Sequence, residues 1–279
     1  MPPKKIAIVG NGRYGKFFKS FFENYGHEVR VSDLGTTPSN EQIVLWADVA
    51  LIAVTLLETV PVIDSLTRIL REDQLVMDIV SVKSGPVDAM LKSRAEVLGT
   101  HPFTAPPRSG TFKGQTIFVC SARISRWRDW ARGFFESTEA IVEEISPAQH
   151  DIERTVDQML EHMCTLLKVS VMRRFTLNPS HLLSVASPVY RMTAAQMARM
   201  FAQDAKLYGG IPMANEHSLE TLSMFREEFE RYVRFVAKGD ITAYNAEFET
   251  NKRYLGEKNI AESFALSEGI VKAMINRVS

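Results

Sequence analysis

An α/β domain followed by an all-α domain is the fold predicted by the 279-residue sequence. Three observations point to it. Short apolar runs alternate with helical patterns through the first half of the chain. The strand signal stops near Ser146-Pro147. Beyond that point apolar residues recur at steps of three and four. Strand alternating with helix calls for a mostly parallel sheet covered on both faces.

Lys5–Val9 reads as a short apolar strand ended by Gly10. Residues 13–25 place Tyr14, Phe17, Phe18, Phe21 and Phe22 at helical spacing. Further strands are expected at 28–33, 49–54, 75–80, 97–100 and 116–120, with 141–145 closing the sheet. Helices near 59–70, 87–93 and 125–136 lie between them. In the second half, residues 150–175 read as one long helix, since Ile152, Val156, Met159, Met163 and Leu166 share a face. Pro179 and Pro188 punctuate the next stretch. Helices follow at 192–208, 214–237, 242–254 and 261–278. The domain boundary is placed near residue 147, giving domains 1–147 and 148–279. The helical domain holds many apolar positions for its size, among them Met192, Met197, Met200, Met213, Met224 and Phe225. A thin domain of this kind buries such faces against a second copy, so a homodimer through the helical domain is expected.

Composition narrows the partners. Lys+Arg and Asp+Glu both number 33, so no global field draws the chain to nucleic acid or to an anionic membrane. No apolar run approaches the roughly 20 residues needed to cross a bilayer. Met-Pro-Pro-Lys-Lys leads directly into the first strand, without a signal-peptide core. Cys120 and Cys164 lie far apart in apolar stretches with no CxxC pair, and read as small buried hydrophobes. A reduced, cytoplasmic setting is the expectation.

Gly10-Asn11-Gly12-Arg13-Tyr14-Gly15 fits GxGxxG, follows a strand and opens a helix. In a Rossmann-type sheet the three glycines have separate roles. Gly10 permits the tight turn, Gly12 allows close approach of a pyrophosphate, and Gly15 allows helix–strand packing. The helix N-terminus offers free N–H groups and a partial positive charge to the phosphates. Asp33 lies 18 residues past Gly15 and ends the second strand. A carboxylate there accepts from a ribose 2′-hydroxyl and repels a 2′-phosphate. Leu34-Gly35-Thr36 follows it without an arginine, which points to NAD over NADP. Gly10, Asn11, Gly12, Arg13, Tyr14, Gly15 and Asp33 are therefore the candidate cofactor residues; no metal is called for.

Further motifs follow in order. Asp78-Ile79-Val80-Ser81-Val82-Lys83-Ser84-Gly85-Pro86 precedes Val97-Leu98-Gly99-Thr100-His101-Pro102. Later come His150-Asp151, Ser187-Pro188-Val189-Tyr190-Arg191, and the run from Ala198 to Tyr208. Together they resemble the prephenate dehydrogenase family, above all the dehydrogenase part of the bifunctional chorismate mutase–prephenate dehydrogenases. The resemblance runs from Ile6 to about the last helix, and the mutase part is expected to be absent. It implies an NAD-dependent oxidation of a cyclohexadienyl acid with loss of CO2, driven by aromatisation.

On this resemblance His101 matches the catalytic base, whose unperturbed pKa of about 6.5 suits neutral pH. Ser81 matches the serine that orients the ring. Arg199 matches the arginine that grips a substrate carboxylate through its planar fork. His162 matches a histidine facing the substrate, one turn after Gln158. Asp151, Thr155, Gln158, His162 and Thr165 form a polar stripe on the long helix, for which a solvated face is the alternative. Arg191 reads as a supporting substrate residue or a local salt bridge. Tyr208 reads as a contact to the ring or as core. Lys83 reads as a cofactor contact or a loop cap.

The chain also departs from the family. The usual run after the catalytic His-Pro is Met-Phe-Gly-Pro or similar; here it is Phe103-Thr104-Ala105-Pro106-Pro107-Arg108. This loop lies close to the substrate, with Thr104 a candidate contact, and Ala105 restricts the backbone where glycine is usual. Prephenate, 4-amino-4-deoxyprephenate and arogenate thus remain open as substrates. A non-catalytic NAD-fold protein and a β-hydroxyacid-type dehydrogenase are competing classes. His101, Ser81 and Arg199 argue against the first, and the position of Lys168 against the second.

Overall fold

The computed structural model describes residues 2–275; residues 276–278 of the last predicted helix lie outside them. The first half runs β1 (Lys5–Val9), α1 (Arg13–Asn24), β2 (Glu28–Ser32), α2 (Asn40–Trp46), β3 (Val49–Ile52), α3 (Leu56–Leu66), β4 (Leu75–Asp78), α4 (Ser84–Leu91), β5 (Glu96–Pro102), β6 (Thr116–Arg123), α5 (Arg128–Thr138) and β7 (Ile141–Glu144). The expected alternation is present. Helix α2 is additional to the sequence reading, and is too short for its period to register. Its signal is a capping box, in which the Ser39 side chain and the Gln42 side chain each bond the other's backbone N–H.

The seven strands form one sheet in the order β2-β1-β3-β4-β5-β6-β7. β1 to β5 are parallel, β6 is antiparallel to β5, and β7 is parallel to β6. Alternation along β1 divides the core. Ile6 and Ile8 join an aromatic layer with Phe18, Phe22, Phe112 and Phe134, while Ala7 and Val9 join an aliphatic layer with Ile43, Ile63 and Met90. Burying rings of this size on one face and branched chains on the other fixes the strand register, because a one-residue slip would exchange the two sets. The chain order reverses between β1 and β3, the place where open parallel sheets bind ligands beyond their strand ends.

The second half is helical: α6 (Pro147–Arg154), a π-helical segment (Thr155–Leu160), α7 (Glu161–Arg174), α8 (Pro179–Ser184), α9 (Pro188–Phe201), α10 (Ala205–Ala214), α11 (Ser218–Lys238), α12 (Ile241–Leu255) and α13 (Glu257–Ile275). The single helix expected over 150–175 is therefore continuous in path but widened for one turn. The helix expected over 192–208 ends at Phe201, and Tyr208 belongs to α10. Among the described residues no helix is long and apolar enough to cross a membrane.

Two compact units emerge. The first is the chain through Met159 together with Lys206–Ser218; the second is Leu160–Ala205 and the chain from Leu219 onward. Sequence alone places the boundary near 147, yet α6 and α10 stay with the sheet. Buried hydrogen bonds hold them there: Asp151 accepts from the Lys83 N–H at 2.7 Å, and Asn215 donates to the Asp151 carbonyl at 2.8 Å. In the second unit α13 packs on α9 and α12, and Arg231 of α11 bonds Glu247 of α12 at 2.6 Å. Met197 and Met200 are buried within the chain, contrary to their sequence reading as part of an uncovered face, whereas Met213 and Met224 are exposed.

The glycine turn tolerates no added side chain at Gly15. A Cβ there would stand 2.0 Å from the Gly10 carbonyl oxygen. Gly15→Ala is expected to destabilise the fold by about 1–3 kcal/mol through forced backbone movement, read as a lower thermal midpoint; an unchanged midpoint would show that the turn relaxes freely.

Candidate active site

The loop between β1 and α1 is shaped for a close ligand. Gly10 sits at φ +112° with its Cα against the Ala53 carbonyl, a conformation and a space that admit only glycine. Gly12, the N-cap of α1, has open space where a Cβ would be. No side chain caps the helix and its first turn contains no acid, so its leading N–H groups stay available to an anion. Asp33 stands at the lip of this turn. It accepts the Asn11 N–H at 3.0 Å and the Leu34 N–H at 2.8 Å, and a carboxylate keeps further lone pairs for a ribose hydroxyl. The residues thus fit a dinucleotide. Asn11 and Arg13 are exposed beside the loop. The Tyr14 hydroxyl is engaged elsewhere, donating to the Thr104 carbonyl, and burial raises its pKa. It therefore ties α1 to the loop after β5, and any cofactor contact is left to the Tyr14 ring.

His101 lies at the C-terminal end of β5 and is 3% exposed. Its Nδ1 is 2.9 Å from His150 Nε2, and His150 Nδ1 is 2.8 Å from Asp151 Oδ1. The protons in this chain can be assigned. Burial works to raise the Asp151 pKa, but hydrogen bonds from His150 and from the Ser84 and Lys83 N–H groups outweigh it and hold the carboxyl below its ordinary range. A carboxylate only accepts, so His150 Nδ1 carries hydrogen. Burial depresses the His150 pKa, leaving neutral imidazole whose Nε2 accepts from His101 Nδ1–H. His101 Nε2 is therefore the unprotonated nitrogen. Burial, reinforced by the charges around His150, Lys83 and Arg154, drives the His101 pKa well below 6.5. His101 is neutral over a wider range than an unperturbed histidine.

Asp151 also joins elements. Its oxygens accept the Lys83 and Ser84 N–H groups at 2.7 and 2.8 Å, capping α4 from a distant helix. Lys83 is 0% exposed; its ammonium bonds the Asp78 carboxylate and, at 2.7 Å, the Thr100 carbonyl. The cofactor contact expected of Lys83 is thus replaced by an internal one, because the side chain turns back onto the interior strands β4 and β5. Ser81 is half-buried on the same β4–α4 loop, and its hydroxyl makes no hydrogen bond among the described residues.

Beside His101 lies a charged group that sequence reading passed over. Arg154 is 4% exposed, with its guanidinium 4.1 Å from the Phe118 ring centre and 4.8 Å from that of Phe103. Both rings also pack on His101. The available signal was spacing: Arg154 is four residues after His150, on the same helical face. The polar stripe is not a solvated face. Asp151, Thr155 and Thr165 are buried, and Gln158 and His162 half-buried. Gln158 stands in the π-helical segment with its Oε1 unbonded. Tyr208 on α10 is half-buried in the first unit, as is Thr104. His162, Arg191 and Arg199 belong to the second unit. Arg199 is exposed and Arg191 half-buried; neither makes a salt bridge among the described residues, so the local ion pair considered for Arg191 is not formed.

The nucleotide-binding domain of prephenate dehydrogenase, as a family, matches residues 23–119, a span that includes Ser81 and His101. The T-protein of Enterobacter agglomerans is 29% identical over 253 residues, covering 90% of this chain and 67% of that protein. The chain is thus similar to the prephenate dehydrogenase family, in its nucleotide-binding domain and along most of its length. Prephenate dehydrogenase from Aquifex aeolicus, solved in complex with hydroxyphenyl propionate and NAD+, shares the fold with TM-score 0.68 at 16% identity, covering 91% of this chain and 98% of that one. Arogenate dehydrogenase from Synechocystis aligns with TM-score 0.63 at 14% identity, over 88% and 99%. The matched span runs from the end of α1 into β6, and so covers the strands that follow the glycine turn.

The buried pair beneath this site sets a stability test. Lys83→Met leaves Asp78 without its counter-charge, and losing one partner of a buried pair costs about 3–5 kcal/mol. Burial raises the Asp78 pKa, so the orphaned carboxyl escapes the cost by taking a proton. The loss in urea-unfolding free energy should therefore be larger at pH 8 than at pH 5; equal losses at the two values would contradict this account.

Proposed function

We propose that the chain is an NAD-dependent dehydrogenase that converts prephenate to 4-hydroxyphenylpyruvate and CO2, with His101 as the base. The observation that carries the reading is the His101–His150–Asp151 chain, which leaves His101 Nε2 as a lone pair on neutral imidazole. NAD, held at Gly10–Gly15 and Asp33, would accept the hydride from ring carbon C4. His101 Nε2 takes the 4-hydroxyl proton as that carbon is oxidised. The C1–carboxylate bond then breaks, its electrons complete the aromatic ring, and the C4 oxygen recovers the proton. The charge that appears on His101 is met by His150, whose Nε2 accepts a strengthened hydrogen bond while Asp151 holds its other side. Ser81 orients the hydroxyl, and Gln158 contacts the acid. The A. aeolicus relative was solved with NAD+, which supports the cofactor.

Burial beside the Arg154 cation supports prephenate over its 4-amino analogue, because a cationic surrounding disfavours a 4-ammonium. The helical unit supports a homodimer. Within the chain α12 and α13 bury no residue and α11 buries only Ser218, while Leu219, Phe229, Val236, Phe248, Tyr254 and Phe264 stand exposed. Cys120 and Cys164 are both free, in keeping with a reducing cytoplasm.

Steady-state assays of prephenate, 4-amino-4-deoxyprephenate and arogenate with NAD test the reading. Prephenate should give the highest kcat/KM; a higher value for either other acid would overturn the substrate, and turnover of none would overturn the reaction. The base must be neutral to work, and its pKa lies well below 6.5. The pH profile of kcat/KM should therefore stay level as pH falls through 6.5 and drop only further down. His101→Asn should lower kcat by about 100- to 10,000-fold with NAD affinity retained; an acid limb centred at 6.5, or an active variant, would remove His101 from this role.

A further inference from the structure

The π-helical turn after α6 carries buried polar atoms that the chain itself leaves unmet. Arg154 Nη2 reaches Asp157 at 2.8 Å and Glu153 at 3.2 Å, both half-exposed carboxylates. Arg154 Nε and Nη1 are shut off from solvent and have no acceptor. One turn on, Gln158 Oε1 is buried without a donor. Buried polar groups are almost always bonded, and the exceptions call for an explanation. A guanidinium with open N–H groups in a low-dielectric surrounding attracts an anion more strongly than one in water. Stacking on Phe103 and Phe118 fixes its plane, so little side-chain entropy is lost when an acceptor arrives. The same two rings contact His101, which places the open donors beside that imidazole. π-Helical turns of this kind recur at functional sites.

We propose that Arg154 is a substrate-binding residue whose free Nε and Nη1 hydrogens take the side-chain carboxylate of the cyclohexadienyl acid, alongside His101. The choice of carboxylate follows from the reaction. The ring carboxylate leaves as neutral CO2, so a cation gripping it would stabilise the ground state and lose its partner in the transition state. The side-chain carboxylate keeps its charge throughout. This role is separate from that of Arg199, which lies in the second unit, and it rests on the reaction assigned above.

The test is a ligand cycle on the full-length protein with saturating NAD. Binding of 3-(4-hydroxyphenyl)propionate and of 4-propylphenol is measured by titration calorimetry for wild type, Arg154→Met and Arg154→Gln. A hydrogen-bonded charge pair lost from the site should weaken the carboxylate ligand by about 10- to 100-fold, with the phenol changed by no more than about threefold. Equal weakening of both ligands would make Arg154 a packing residue, and no weakening would mean that its N–H groups serve an ordered water; either overturns the proposal. If wild type binds neither ligand, the substrate reading itself fails and this one with it. Arg154→Met removes unmet buried donors, so its apo thermal midpoint should be no lower than that of wild type. A lower midpoint in both variants would assign the guanidinium to the scaffold and overturn the proposal.

Discussion

One buried carboxylate organises the catalytic side of this molecule. Asp151 receives the N-terminus of α4 through two backbone N–H groups and the His150 ring through a third hydrogen bond. Each interaction is charge-assisted and shielded from water, which makes it stronger than a neutral pair and specific in direction. The α4 end sets the loop that carries Ser81. The His150 ring sets the tautomer of His101. A neutral residue at 151 would leave both without a reference, even if every other side chain stayed in place.

Around that anchor the protein concentrates charge where burial is expensive. Lys83 and Asp78 neutralise each other at the end of the central strand β4, whereas Arg154 is matched only on one nitrogen. The Lys83–Asp78 pair is structural, and the half-matched Arg154 cation packs beside His101. Burial keeps His101 unprotonated, with the Arg154 charge a lesser contribution, and the open N–H groups of Arg154 carry some cost in stability. The same division of labour appears in the loop after β5: the Tyr14 hydroxyl binds the Thr104 carbonyl, joining the dinucleotide turn to the loop that follows the base.

The helical unit poses the reverse situation. Helices α11 and α12 make an ion pair and a ring contact to each other, Arg231 with Glu247 and Tyr232 with Tyr244, yet the last three helices leave large apolar side chains uncovered. Polar ties of this kind set helix pairing but contribute little apolar burial.

The sequence determined the parts that rest on local periodicity and backbone chemistry. Alternating residues in β1 set two core layers, and Gly10, Gly12 and Gly15 marked the dinucleotide turn, because strand period and positive φ are written residue by residue. His101 and Ser81 were legible through family spacing. Only the tertiary structure decided the rest. Lys83 looked available and is buried, Arg154 drew no reading from the sequence and is buried beside His101, and α6 and α10 belong with the sheet. Each outcome depends on which groups fold over one another, as Arg154 does with Phe118 and Asp151 with Lys83 and Asn215. A one-dimensional pattern records the period of an element but not the partner that removes a charge from water.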